Sequence, residues 1–263
     1  MPEDNGRFII SRPMAEYIKL SPLGPSAKKL LIALIYLQHL EEDEWPKVVL
    51  DKEPIRYEYS DKYLCRHYHT LNTFRTLGFA PKSKSARFLE NAIHDLRMKT
   101  DLFDVLEVQA GKPTVLVWQF SIYAAVLMSM RRPYALMHTR DIARMKTDLE
   151  PGFITLLTLH ENMDWPEFSL FKAVLHNRGW EGFRDAPIPD MRGFKPKLKR
   201  LLRKWSALKS HEYAAVICQN GERPGVTDVR IRVRHARTKW SENSFYKVCI
   251  RDELVKIPKG TNC

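Results

Sequence analysis

The sequence predicts an α+β chain in which one plan is used twice, a small helical bundle followed by a β-hairpin. Three observations carry that expectation. An amphipathic helix over 195–209 runs directly into two strands of alternating pattern near the C-terminal end. A second helix-then-hairpin succession lies over Ser85–Phe120. Positive charge is concentrated on the later copy, because Asp190–Lys239 holds fourteen Lys or Arg against four Asp or Glu, a surplus of ten in a chain whose net charge is +12.

In chain order, Gly24, Pro25 and Ser26 give a start signal for a strongly apolar helix over Lys28–Leu40. An extended stretch follows around Ile55–Tyr59, then Ser60 and Asp61 are positioned to cap a helix through Tyr63 and His67. Thr70–Leu77 supplies a further short helix or turn before Gly78. Ser83 or Ser85 opens a helix to about Met98, with Leu89, Ala92, Ile93 and Leu96 on one stripe and Lys84, Arg87, Asn91 and His94 opposite. Leu102–Val108 and Thr114–Phe120 flank Gln109-Ala110-Gly111-Lys112-Pro113, a hairpin by composition and length. Glu90, Asp95, Asp104 and Glu107 make this first copy less suited to a polyanion, with Arg87 and Asn91 its best candidates for pairing with purine edges.

Ser121–Met130 is apolar and Met-rich and reads as a connecting helix or as the opening element of the second copy. From Tyr134 the plan resumes, with helical pieces at Asp141–Met145 and Phe153–Met163 separated by Glu150-Pro151-Gly152, and a third helix at Ser169–Asn177 ended by Gly179. An irregular loop over Asp185–Gly193 leads to the basic helix. There Phe194, Leu198, Leu201, Leu202, Trp205 and Leu208 fall in a stripe about 120° wide. Lys197, Lys199, Arg200, Arg203 and Lys204 lie opposite, with Lys195 at the start. Pro196 is tolerated only in a first turn, which places the helix start near Lys195. Strands at Tyr213–Gln219 and Val226–Arg234 enclose a turn with Asn220, Gly221, Pro224 and Gly225. In the second strand Val229, Ile231 and Val233 alternate with Arg230, Arg232 and Arg234, putting three arginines on the expected solvent side. The only acid near that face is Asp228, on its flank. Helix followed by basic hairpin is the winged-helix arrangement, in which the helix enters the major groove of duplex DNA and the wing follows the backbone.

The domain reading is therefore 1–127 as a first winged-helix domain, 128–239 as a second and more basic one suited to DNA binding, and 240–263 as a tail. No apolar run approaches the roughly 20 residues that span a bilayer, and Glu3 and Asp4 after Met1 do not fit a signal peptide, so a cytoplasmic protein is expected. Cys65, Cys218, Cys249 and Cys263 lack paired metal spacing and read as free thiols. His67 and His69 have an H-x-H spacing, but no carboxylate neighbours them in sequence and they read as surface or half-buried side chains. No catalytic or metal-binding residue, no cofactor and no GxxxxGK[ST] loop is expected. Trp118 and Trp205 fall on core positions, and Phe245–Ile250 in the tail reads as a lone strand pairing with the second copy or with a partner.

This layout resembles the iteron-binding plasmid replication initiators, the Rep family. The residues that match are the apolar helix around Leu30–Leu37, the helix and hairpin of Ser85–Phe120, the Tyr134–Leu159 run and Phe194–Arg234, within about residues 7–237. The 150–157 stretch matches by its hydrophobics alone. The resemblance implies a sequence-specific double-stranded DNA-binding protein that initiates replication by binding origin repeats and helping open nearby DNA. It also implies dimerisation and accessory DNA contact by residues 1–127, the main DNA contact by residues 128–239, host replication proteins such as a helicase or initiator as partners, a homodimer, and association with plasmid or nucleoid. The alternative is a transcriptional repressor or architectural DNA-binding protein built from the same two units.

Overall fold

The computed structural model describes residues 6–41, 47–49, 56–58, 65–79, 86–129, 133–161, 163, 166–173, 184–209, 211–219, 226–234 and 253–257. Among these residues the chain is a mixed α/β protein of eight helices and four small sheets. It divides into two compact units, 1–155 and 156–263.

The first unit opens with β1 (Arg7–Ser11), α1 (Arg12–Leu20) and α2 (Pro25–Glu41). Ser11 ends the strand and caps the helix: its hydroxyl oxygen accepts the Met14 N–H at 3.3 Å and donates to the Leu127 carbonyl at 2.5 Å. Ala27 and the run Leu30–Leu37 of α2 are buried on every side, the signature of a helix enclosed by the core. Nonetheless, no helix of the described residues is long and apolar enough to cross a membrane. Lys19 and Glu16 form a buried pair at 2.5 Å, and Lys28 Nζ donates to the Lys19 carbonyl at 3.0 Å, satisfying an acceptor at the end of α1. Burial pulls Lys28 down to about 8, against Asp148 and Asp95, which favour its charge.

A short ribbon of β2 (Lys47–Val49) and β3 (Arg56–Glu58) precedes β4 (His67–Thr70), α3 (Leu71–Thr76), α4 (Arg87–Lys99), β5 (Phe103–Gln109) and β6 (Val115–Phe120). The last three strands form a sheet of order β4-β6-β5. Leu89, Ala92, Ile93 and Leu96 of α4 are buried, as their spacing predicts. The chain leaves α3 through Gly78, whose φ of +74° suits glycine and where a Cβ would lie 2.3 Å from that of Ala143. His67 differs from expectation: it lies in a strand, because β4 pairs with β6 from His67↔Trp118 to Thr70↔Val115. The expected caps Ser60 and Asp61 lie outside the described residues.

After α5 (Ile122–Ser129), β7 (Tyr134–His138) pairs antiparallel with β1, from Arg7↔His138 to Ser11↔Tyr134. This ribbon ties Tyr134–His138 into the first compact unit, so the units divide inside a helix near Thr155, whereas sequence places the functional boundary after residue 127. β7 also ends in a cap, for His138 Nδ1 accepts the Arg140 N–H of α6 (Thr139–Arg144) at 3.1 Å. α7 (Glu150–His160) begins with the Glu150 carboxylate accepting N–H groups of Lys146 and Thr147.

The second unit holds β8 (Glu167–Ser169), α8 (Met191–Lys209), β9 (Glu212–Gln219), β10 (Val226–Arg234) and β11 (Glu253–Ile257) in a sheet of order β11-β9-β10-β8. The strand preceding α8 and the two following it are ordered β8-β10-β9, the same order as β4-β6-β5 around α4. Ser169 does not open a helix. It closes β8, and its hydroxyl accepts the N–H groups of Phe171 (3.2 Å) and Lys172 (2.7 Å) in a turn. In the tail the observed strand is Glu253–Ile257, on the edge of β9; Phe245–Ile250 lie outside the described residues.

Candidate nucleic-acid interface

α8 starts earlier than Pro196 suggests because Asp190 caps it, its carboxylate accepting the Arg192 N–H and its carbonyl the Phe194 N–H, both at 3.1 Å. Pro196 then falls in the second turn, where it has no N–H to give to the carbonyl four residues back, that of the exposed Arg192. Phe194, Leu198, Leu201, Leu202 and Trp205 are buried, Phe194 meeting Phe171 edge-on at 5.5 Å. Ser206 Oγ donates to the His211 carbonyl at 2.7 Å and ties the helix end to β9. Leu208 departs from the predicted stripe and is 37% exposed.

The opposite side of α8 is the cationic one. Lys197, Lys199, Arg200 and Arg203 are exposed, as is Arg192, which the sequence reading passed over because it lay in the expected loop. Lys195 and Lys204 are half-buried, the Lys204 ammonium standing 5.3 Å from the centroid of the Trp205 ring. The helix therefore presents a row of fixed positive charges on a side chain-packed base, with Trp205 fully buried beneath it.

The hairpin is different from its sequence reading. Val229, Ile231 and Val233 do face the core, opposite Ile217, Ala215 and Tyr213. Arg230 and Arg232, however, do not share an open solvent face: Ala214 and Val216 beside them are buried, and the Arg232 side chain is only 11% exposed against 36% for Arg230. The face also carries an acid that the hairpin's own sequence does not contain. β8 pairs with β10, placing Glu167 directly across from Arg232. Glu167 Oε1 accepts from Arg230 Nη1 at 3.1 Å and Oε2 from Arg232 Nε at 2.5 Å, while Arg230 Nε lies 3.1 Å from Cys218 Sγ. Asp228 is likewise no exposed flank: it is 3% exposed and accepts from Ser169 Oγ at 2.6 Å and the Val229 N–H at 2.8 Å. Arg234 is in β10 opposite Glu212, its side chain outside the described residues.

On α4 of the first unit, Arg87 and Asn91 are exposed beside Glu90 and His94; Lys84 lies outside the described residues. Asp95 turns out to hold the loop ahead of α2, accepting the Gly24 N–H at 2.6 Å and pairing with Lys99 at 2.5 Å. Burial works to raise its pKa, but those hydrogen bonds and the lysine charge outweigh it and hold the carboxyl below its ordinary value. His67 and His69 also gain a carboxylate that sequence adjacency hides, Glu41 at the end of α2. Glu41 pairs with His67 Nδ1 and lies 3.1 Å from His69 Nε2, while the two rings stack on Trp118 with centroids 4.5 and 6.1 Å away. Burial lowers the His69 pKa, which Glu41 opposes and His67 reinforces. Among the described residues, no group of three His, Cys, Asp or Glu side chains is placed to hold a metal ion.

Comparison with known proteins bears on the fold. No family model matches the chain, and no curated protein matches it. Among solved structures, the chain is similar to the crystal structure of a Pi initiator protein in complex with iteron DNA, at 9% identity and a TM-score of 0.58, over 89% of this chain and 99% of that one. The chain thus shares the fold of that protein over most of its own length and nearly all of the other's.

Proposed function

We propose that this protein is a sequence-specific double-stranded DNA-binding protein that initiates replication of a plasmid-type replicon. In this reading the chain is two winged-helix domains in tandem, residues 1–127 and 128–239, followed by a tail. The observation that carries it is the cationic side of α8, exposed Lys197, Lys199, Arg200 and Arg203 opposite a fully buried stripe, on a fold shared with an initiator that binds iteron DNA. An α-helix fits the major groove, and lysines and arginines there neutralise phosphates and reach base edges. α8 is the main reading element; Arg87 and Asn91 of α4 make an accessory contact; and the hairpin after α8 follows the backbone.

Origin opening in this reading draws on binding and deformation of DNA and on host replication proteins, with no nucleotide chemistry and no cofactor. The protein acts in the compartment that holds the replicon, as a monomer or homodimer on repeated sites. The test is footprinting across the DNA that flanks the gene, together with deletion of the gene from its replicon. Protection of directly repeated sites about two helical turns apart, with loss of autonomous maintenance on deletion, is the expected result. Protected sites with maintenance intact would leave the repressor or architectural reading in its place, and absence of duplex binding would remove both.

A further inference from the structure

We propose that Glu167 is a built-in competitor for the DNA backbone, occupying with a carboxylate the guanidinium groups that a phosphate takes up when duplex binds. The inference rests on the DNA-binding reading above and adds to it a regulator of affinity. It starts from chemistry: a carboxylate and a phosphate offer guanidinium groups the same kind of paired oxygen acceptors, so one can replace the other. Glu167 bonds one arginine through each oxygen, Arg230 at 3.1 Å and Arg232 at 2.5 Å. Glu167 bonds both arginines, so its carboxylate offsets part of the positive charge that they would otherwise present.

The two arginines are not equivalent. Arg232 is nearly covered and opposite Glu167 in register, whereas Arg230 sits two pairs along, opposite Ser169, and its side chain is 36% exposed. Arg230 is therefore the one that phosphate reaches, with Arg232 keeping the carboxylate. Glu167 is itself only 24% exposed, so its bond to Arg230 is less weakened by water and salt than that of a surface pair. DNA must displace that bond before Arg230 contributes. Competition of this kind lowers backbone affinity without touching base recognition, because phosphate contacts carry no sequence information.

The test uses the full chain with Glu167→Gln, which keeps the size, removes the charge and leaves one acceptor oxygen in place of two. Binding to a duplex containing the repeat and to an unrelated duplex is measured across a salt series, with circular dichroism as the check of folding. The expected result is about three- to tenfold tighter binding to both duplexes near physiological salt, with the log K against log salt slope little changed, because Arg230 meets a phosphate in both proteins and only the cost of displacing Glu167 is removed. A second variant, Arg230→Gln, is expected to lose about one contact from the wild-type slope, and to abolish the gain from Glu167→Gln when the two are combined. Unchanged or weaker binding by a folded Glu167→Gln protein overturns the proposal, as does an Arg230→Gln slope equal to wild type. If Glu167→Gln does not fold, the Arg230→Gln slope decides alone. Failure of the wild type to bind duplex at all would sink the DNA reading and this proposal together, a result distinct from wild-type binding that is indifferent to Glu167.

Discussion

Replacing Arg200 and Arg203 together by Gln takes two charges from the exposed side of α8 and leaves its buried stripe untouched. Each phosphate contact contributes about 0.9 to the slope of log K against log salt, so if both arginines meet the backbone the slope falls in magnitude by about 2. The same relation sets the loss of affinity: near 0.1 M salt two such contacts amount to roughly 60-fold, or about 2.4 kcal/mol. With Lys197, Lys199, Arg200, Arg203 and the half-buried Lys195 and Lys204 engaged, α8 alone should contribute about −5 to the wild-type slope. Fluorescence anisotropy with a labelled duplex, titrated from low to moderate salt, measures both quantities. Surface substitutions of this kind change stability by about 0.5 kcal/mol or less, so a thermal melt should be nearly unchanged. A larger loss on the repeat than on unrelated duplex would mark a base contact by one of the two arginines. A double variant that is folded, binds as wild type and keeps the wild-type slope would refute the placement of α8 against DNA.

Two further expectations concern the framework that holds these elements. Gly78→Ala adds a Cβ where φ is +74° and Ala143 Cβ is 2.3 Å away, so the positive-φ cost and overpacking together should destabilise by about 2–4 kcal/mol in a urea melt. Adding Ala143→Gly should recover the overpacking part alone; full tolerance of Gly78→Ala would contradict the close approach of α3 and α6. Lys28, at about 8 in the folded chain against an ordinary 10.5, leaves the folded state binding fewer protons between those values, so its contribution to stability rises with pH across that window. Wild type should therefore gain on Lys28→Met by about 2–3 kcal/mol from pH 8 to 10.5, read from denaturation midpoints; a constant difference would show that the amine is not desolvated.

Elements whose signal is local were legible in the sequence. The hairpin of β9 and β10 was read to within a residue, because alternation of Val229, Ile231 and Val233 with arginines declares a strand whatever it pairs with. The cationic and apolar sides of α8 followed in the same way from a period of 3.6. The elements misplaced or left unread were those defined by a distant partner. β1 is five residues long and becomes a strand by pairing with β7, whose residues lie more than a hundred positions away. His67–Thr70 is a strand because of β6, against a local Ser60-Asp61 signal for a helix. At Ser169 the local chemistry pointed to a helix for a physical reason: a serine hydroxyl accepting N–H groups two and three residues ahead is how a helix is capped, and here the same bonds close a turn after a strand.

The same division explains why the candidate site was only half visible. The exposure of Lys197, Lys199, Arg200 and Arg203 depends on their own helix and its buried face, so it could be worked out from nineteen consecutive residues. What Arg230 and Arg232 can do depends on Glu167, sixty-three and sixty-five positions earlier, in a strand of three residues too short to show alternation. A run of like charges on one strand is thus an incomplete statement of the field at a sheet surface, since every neighbouring strand adds its own charges at 4.7–4.9 Å spacing. Charge counted along the chain marked the right fifty residues. It could not separate the helix, whose exposed lysines and arginines face water, from the hairpin, whose Arg230 and Arg232 both bond a carboxylate.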